Sequence, residues 1–586
     1  LSFMFNTFKV KKPQRSTFPI RHYHETTVNI GDINCLHWNW CYPGDRLKIR
    51  YSFLAKFQAM IAPNFSRMRI KSEVFFVPAS DIFVNFHETI MNYRQEEQEV
   101  IANGHKTSYT FTRLPWIGLG RFAWWFSRPW DAVETPSGSS YWDVMKYKSS
   151  DGEKAVARLV HQIGVPYDVT NARNFTGSGI YTDNPVNPWA RNDKYLDVTD
   201  QSWSLDGSTP ISLLPFMAYQ YVYNWYYRDS VRSPEIDCYP DVYQTGLTSI
   251  QSLLESGDSV MTDTLTELWG LSTNRAHFNR FFNNLFQIRR RFYRKDYFNT
   301  AVSDPTVGVD SLAVPNNIVD LRKANQLQKF IEKQALAGNR VAEFIAAHWA
   351  FKPDNYELGR PILISSSSQN VQVSEVLQTS ESTDSSAMGS RSGVANSYGN
   401  SNGSYFVSPD YGILLINMSI VPEIAYFSGV PRKLTVASWE DLAWPEFAQI
   451  GMQPIYNFEL GITEEYQPVV SGQGRPGFDQ ASIFGYAPRY SQYKMELNQI
   501  SGEMATSLRY WHQSPAFKKA PNLNLNFGLI GFKDYNYVEP YAERFPEYYN
   551  QIFAVQDDEL ADHVRVIANF DIDVNRALPA NDMPAL

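Results

Sequence analysis

Read by alternate residues, the stretch "DRLKIRYSFLAKF" (45–57) separates into two lists. Leu47, Ile49, Tyr51, Phe53, Ala55 and Phe57 are apolar. Arg46, Lys48, Arg50, Ser52 and Lys56 are polar, and only Leu54 breaks the alternation. A period of two predicts a β-strand with one buried face. "HVRVIANFDIDVNRAL" (563–578) repeats the pattern. There Val564, Val566, Ala568, Phe570, Ile572 and Val574 alternate with Arg565, Ile567, Asn569, Asp571, Asp573 and Asn575. Residues 26–38 are rich in β-formers, and "YPGD" (42–45) has the chemistry of a turn. In "MRIKSEVFFVPA" (68–79), Met68, Ile70, Val74 and Phe76 alternate with Arg69, Lys71 and Glu73, and Pro78 ends the strand. A further strand is predicted over 411–421.

Between these strands the period changes. Over 212–230 Leu214, Met217, Ala218, Tyr221 and Trp225 fall on one helical face, and over 319–339 Leu321, Ala324, Leu327, Ile331 and Ala335 do the same. Residues 365–404 are rich in Ser, Asn and Gly. With few apolar residues to offset ordering entropy, they read as a long surface loop. Ser438 with Asp441 three residues on resembles a capping box opening a short helix. The predicted organisation is an extended basic arm (1–24), a first set of strands (25–79), a large helical and loop insertion with intervening strands (80–410), and the remaining strands and loops (411–586). Strong strands at both ends argue for one composite, mainly β domain, an antiparallel sandwich closed by its two terminal segments and carrying a long insertion.

Charge changes this picture. The 586 residues carry a net charge of −8. Residues 1–72 nevertheless hold twelve Lys or Arg against Glu25, Asp32 and Asp45, a balance of +9, so the remainder carries −17. In the arm, Lys9, Lys11, Lys12 and Arg15 lie among phenylalanines. A second basic block comprises Arg289, Arg290, Arg291, Phe292, Arg294 and Lys295. Such asymmetry suits a polyanionic partner, and equally a solvated face or ion pairs with acidic neighbours. Charged residues are only 19% of the chain and aromatics 15%, a balance that suits either a surface packed against other copies or a large β core. No apolar run reaches the ~18 residues of a membrane span, and "LSFMFNTFKVKK" has the wrong order for a signal peptide. Three cysteines are too few for a disulfide framework.

Motifs for catalysis are absent: no phosphate-binding loop, dinucleotide fingerprint, nucleophile elbow or HExxH. His22 and His24 lack a third metal ligand nearby in sequence, and no cofactor is expected. Asp571 and Asp573 share one strand face at about 7 Å between Cα atoms. Two carboxylates at that reach could serve a glycosidase. They could also pair with Arg or Lys of a neighbouring strand or chain.

Several segments in order resemble the major capsid proteins of the Microviridae. They are "YPGDRLKIRYSFLAKFQAMIAPNFSRMRIKSEVFFVPAS", "LLPFMAYQYVYNWYYRD", "RKDYF", "VDLRKANQLQKF" with "GNRVAEFI", "VSEVLQTS", "FGYAPRYSQYK" and "VRVIANFDIDVNRALP". The resemblance implies an eight-stranded antiparallel jelly roll, sixty copies in an icosahedral T=1 shell, and a single-stranded DNA genome inside, with a virion location after assembly in the host cytoplasm. It also implies minor virion proteins and a host-surface receptor as further partners. The basic clusters then become candidates for DNA contact. Arg46, Lys48, Arg50, Lys56, Asp571 and Asp573 become candidates for a face turned to the genome or to an adjoining subunit. Only about twenty residues separate Phe298 from Val319, so the protrusion that gokushoviruses build there is expected to be missing, with extra length at 231–288 and 131–210 instead. The other reading is a jelly-roll carbohydrate-active enzyme or carbohydrate-binding protein.

Overall fold

A computed structural model describes residues 2–3, 6–7, 14–83, 86–91, 98–102, 105–109, 114–118, 158–165, 174–176, 179–181, 204–205, 210–228, 285–291, 296–298, 300–301, 325–331, 333, 345–347, 349, 359–377, 391–401, 403–448, 451–460, 483–514, 552–554 and 562–580. Two large antiparallel sheets dominate. Their strands are β1 (Ser16–Val28), β2 (Asp32–Cys41), β3 (Arg46–Phe57), β4 (Met68–Pro78), β5 (Arg289–Arg290), β6 (Ile362–Asn370), β7 (Gln372–Leu377), β8 (Arg391–Asn400), β9 (Ser404–Val407), β10 (Gly412–Pro422) and β11 (Val564–Arg576). Sheet I runs β5-β2-β10-β4-β6, and sheet II runs β7-β8-β3-β11-β1 with β9 also pairing β3.

The closing strand β11 lies inside sheet II, between the two N-terminal strands. It pairs β1 from Val564↔Val28 to Arg576↔Ser16 and β3 from Val564↔Phe57 to Asn575↔Arg46. The two ends of the chain are therefore hydrogen-bonded into one layer. β1 begins at Ser16, within the segment read from sequence as an arm, because β11 supplies a complete ladder for it.

The two sheets face each other across one core. From sheet II it takes Leu47, Ile49, Phe53, Val566, Phe570 and Ile572, and from sheet I Ile70, Val74, Phe76, Leu414, Ile416 and Met418. Burial of one such side chain is worth about 1.5–3 kcal/mol, so this interior dominates cohesion. β3 and β11 alternate between buried and exposed along their length, whereas β10 is buried at nearly every position. The cause is a second core on the far face of sheet I. There Ile33, Phe75, Ile413 and Leu415 pack against helix α1 (Leu214–Val222), which is itself buried all round. Sheet I is thus covered on both faces, and sheet II keeps one face in solvent.

Within 365–404, expected to be loop, most of the described residues lie in strands β6, β7 and β8. The inward positions of β8 are Gly393, Ala395, Ser397 and Gly399, all buried. Small residues are required there: a Cβ on Gly393 would lie 2.8 Å from the Ala62 carbonyl, and one on Gly399 would overlap the ring of Phe53. Further on, Ser438 and Asp441 form the expected capping box on a single 3₁₀ turn, Trp439–Asp441. The helix expected over 319–339 lies partly outside the described residues, as does the interval between Phe298 and Val319.

Candidate nucleic-acid and subunit interface

Antiparallel register places the polar residues of β3 beside those of β11. Lys48 faces Asp573, Arg50 faces Asp571, Ser52 faces Asn569, Leu54 faces Ile567 and Lys56 faces Arg565. On the other side of β11, Asp571 faces Arg21 and Asn569 faces Tyr23. Arg50 Nη2 lies 2.7 Å from Asp571 Oδ2 and 3.2 Å from Asp573 Oδ2, and Arg21 Nε lies 3.2 Å from Asp571 Oδ1. One guanidinium thus bridges both carboxylates, and a second closes the row. These groups are half-exposed, so each pair contributes roughly 0–1 kcal/mol after solvent screening. The two aspartates are engaged by arginines of their own sheet, and this geometry does not favour the glycosidase reading.

The turn between β2 and β3 is tied to this layer. Gly44 has φ 77°, a conformation that suits glycine, and both terminal nitrogens of Arg15 donate to its carbonyl at 2.7 Å. Buried Asp45 accepts from the Tyr42 backbone N–H at 3.0 Å and pairs with Arg576 at 2.8 Å. Arg15 is therefore anchored at the start of the sandwich. Lys9, Lys11 and Lys12 lie outside the described residues, as do Phe292, Arg294 and Lys295.

Of the alternatives read for the second basic block, its described part shows contacts within the chain. Arg289, Arg290 and Arg291 face inward against partners of the same chain. Arg289 is buried and donates from Nε to Gln220 Oε1 at 2.7 Å. Arg290 Nε lies 3.2 Å from Asp32 Oδ1. Arg291 grips Glu73 with both terminal nitrogens at 2.7 and 2.9 Å, and Tyr227 donates to the same carboxylate at 2.5 Å. Burial works against the charged guanidinium, yet hydrogen bonding and attraction from Glu73 prevail and raise the Arg291 pKa. These arginines fasten the insertion to the edge and far face of sheet I. Sequence alone does not say which acids face them.

Asp32 also accepts from Arg158 at 2.5 Å, and the other arm of Arg158 reaches Asp562 at 2.5 Å. Burial raises the Asp32 pKa, opposed by the charges of Arg290 and Arg158. The network joins the insertion, the start of β2 and Asp562, two residues before β11. Sequence reading missed it, because Asp32, Arg158 and Asp562 stand in three unrelated segments.

His22 and His24 lie on β1 at the edge of sheet II. His22 stacks on Phe570 and lies 4.7 Å from His37 between ring centroids, and the His24 ring meets the Leu36 carbonyl at 2.7 Å through Nδ1. Among the described residues no group of three or more His, Cys, Asp or Glu is arranged to hold a metal ion. Likewise, no described helix is long and apolar enough to cross a membrane.

Three exposed tyrosines share the open face of sheet II and were not singled out from sequence. They are Tyr23 on β1, Tyr398 on β8 opposite Leu54, and Tyr405 on β9 opposite Lys48. The available signal was an aromatic residue at the polar phase of a strand.

Residues 6–107 and 294–586, more than half of the chain, match the family described as capsid protein (F protein). β1–β4 fall in the first span and β6–β11 in the second. The unmatched interval contains α1 and β5, the matter that covers the far face and edge of sheet I. Individual relatives are capsid proteins VP1. The chain is 30% identical to that of Chlamydia phage 1 over 214 residues, 36% of this chain and 35% of that protein. It is 29% identical to that of Bdellovibrio phage phiMH2K over 223 residues, 37% of this chain and 40% of that protein. It is 24% identical to that of Spiroplasma virus 4 over 222 residues, 36% of this chain and 37% of that protein. The chain thus spans well under half the length of the curated relatives it matches.

Proposed function

This chain belongs to the phage capsid (F) protein family, that of the Microviridae, and from that premise we propose that it is the major capsid protein of a small single-stranded DNA bacteriophage. Sixty copies assemble into an icosahedral T=1 shell around the genome. The carrying observation is that both matched spans coincide with the strands of the sandwich. The two face-to-face antiparallel sheets, with β11 threaded between β1 and β3, support the finer reading of an eight-stranded jelly roll with long insertions.

The work of such a protein is association. Obligate interfaces commonly bury roughly 2,000 Å² or more, and closure of a shell turns many modest contacts into a cooperative whole. The genome is held by phosphate neutralisation. With Arg289, Arg290 and Arg291 engaged inside the chain, that role passes to the arm residues Lys9, Lys11, Lys12 and Arg15, together with Arg294 and Lys295. The location is the virion, after assembly in the host cytoplasm. Minor virion proteins and a host-surface receptor are further partners.

Electron microscopy of the purified chain, with nuclease-protected DNA quantified in the same particles, tests the proposal. Uniform shells of one diameter are expected. Replacing Lys9, Lys11, Lys12 and Arg15 together by Ala should leave shells that hold less DNA. A chain that stays monomeric overturns the capsid reading, and undiminished DNA in the variant shells overturns the role of the arm.

A further inference from the structure

The open face of sheet II is composed unlike the rest of the molecule. Its central rows carry Arg21, Arg46, Lys48, Arg50, Lys56 and Arg565 against Glu25, Asp571 and Asp573. Six cations oppose three anions on this one face, in a chain whose net charge is −8. Arg50 and Arg21 already serve the two aspartates, whereas Lys48 and Lys56 stand in exposed positions of β3. Between the charges lie amides, Asn396 and Asn400 on β8 and Asn569 on β11.

Out of this polar ground stand three aromatic rings. Tyr23, Tyr398 and Tyr405 are 68%, 67% and 64% exposed. Tyrosine that serves a β core or a folded interface is mostly covered. These three are left mostly open by the described residues. Strand spacing of about 4.8 Å and a rise of about 3.3 Å per residue put them roughly 15–20 Å apart, at the corners of a triangle over Arg50 and Ser52 of β3, with Lys48 and Lys56 beyond its two long edges. A flat, basic, amide-rich sheet with isolated exposed rings is the composition that binds single strands: phosphates meet cations, and unpaired bases stack on rings regardless of sequence.

A second copy of this chain fits the face less well. Its overall charge is negative, but stable interfaces between copies have an apolar centre depleted in charge. Here the centre is the Arg50–Asp571–Arg21 row. The apolar residues of the face are few: Leu54 and Ile567 adjoin each other beside Tyr398, and Val407 lies apart, opposite Arg46.

We infer that the solvent face of sheet II is a binding platform for single-stranded DNA, with Tyr23, Tyr398 and Tyr405 stacking on bases and Lys48 and Lys56 contacting phosphates. The identity of the nucleic acid rests on the capsid reading; the platform itself rests on the sheet. In the shell, sheet II then faces the genome, and the insertion packed on sheet I faces outward.

The test uses the full chain and a fluorescently labelled oligo(dT), followed by anisotropy over a range of salt, with particle formation scored in parallel. Tyr23→Ala/Tyr398→Ala/Tyr405→Ala should weaken binding at least about tenfold and leave the salt slope unchanged. The matching triple Phe variant keeps the rings and should bind within about threefold of wild type. Lys48→Ala/Lys56→Ala should lower the salt slope by about one to two. Wild-type affinity in the Ala variant overturns the platform, and so does a Phe variant as weak as the Ala variant, since the ring would then not be the contact. If the Ala variant loses shells but keeps oligo(dT) affinity, the face joins copies and the inference fails. If wild type binds through these rings but never forms shells, the inference stands and the capsid reading fails.

Discussion

Arg50 and Asp571, from opposite ends of the chain, meet at 2.7 Å on adjacent strands of one sheet. Their union follows from burial on the other face. Tyr51 and Phe570, their neighbours in sequence and each other's cross-strand partners, both point into the core. Register is fixed where one face is buried, since a slip of one residue would turn every apolar side chain outward. The ion pair is a consequence of that register more than its cause. A double-mutant cycle with Arg50→Ala and Asp571→Ala, read by urea unfolding, should therefore give a coupling of no more than about 1 kcal/mol. A coupling several times larger would make the charges, and not the core, the register device.

Arg158 is placed differently. It is 7% exposed and shared between Asp32 and Asp562, which are themselves buried. Removing the cation takes the guanidinium from both buried carboxylates, leaving Asp32 to Arg290 and Asp562 to the Thr27 hydroxyl, and breaking a buried pair in this way costs up to roughly 3–5 kcal/mol. Arg158→Leu should lower unfolding free energy by about that amount. Arg158→Leu/Asp32→Asn/Asp562→Asn, which removes the stranded charges as well, should recover a large part. A loss below about 1 kcal/mol in the single variant would show that water reaches the site.

The legibility of the sequence varies with what each strand buries. β3 and β11 are legible because one face is wet and one dry. β10 is legible as an apolar run interrupted by Asn417 and Ser419, and the second core against α1 explains why it does not alternate. β8 is not legible, because its inward residues are Gly393, Ala395, Ser397 and Gly399: a tightly packed strand with almost no apolar signal. β1 is obscured by His22 and His24 among its positions and by Pro19. At the candidate interface, the charged row of β3 and a basic neighbour for Asp571 and Asp573 could be read, but not which residues meet. The acids that claim Arg290 and Arg291 lie over two hundred positions away, and composition gives no hint of them.

Gly399 offers a test of that packing. A methyl group there would overlap the Phe53 ring, and overpacking of this kind costs about 1–3 kcal/mol. Gly399→Ala should destabilise by that amount, and Gly399→Ala/Phe53→Leu should be less destabilised than the sum of its single changes. Strict additivity in the cycle would show that the methyl group and the ring do not meet.

His37 makes the sandwich sensitive to acid. Its ring is buried in β2, 4.7 Å from His22 and 5.1 Å from Phe570 between centroids. Burial first, then the neighbouring His22 and His24, pushes its pKa down to about 3, and burial with His24 lowers that of His22. An unfolded histidine titrates near 6.5. A group whose folded pKa lies below its unfolded value binds protons more readily after unfolding. Its neutral form therefore supports the fold fully above about pH 6.5, and stability falls as pH drops from there toward 3. Each pH unit inside that window costs about 1.4 kcal/mol for one such histidine. Between pH 7 and pH 5, His37→Phe should lose about 2 kcal/mol less unfolding free energy than wild type, since carboxylates titrate alike in both. Equal losses over that interval would show that the His37 ring is reached by water and titrates normally.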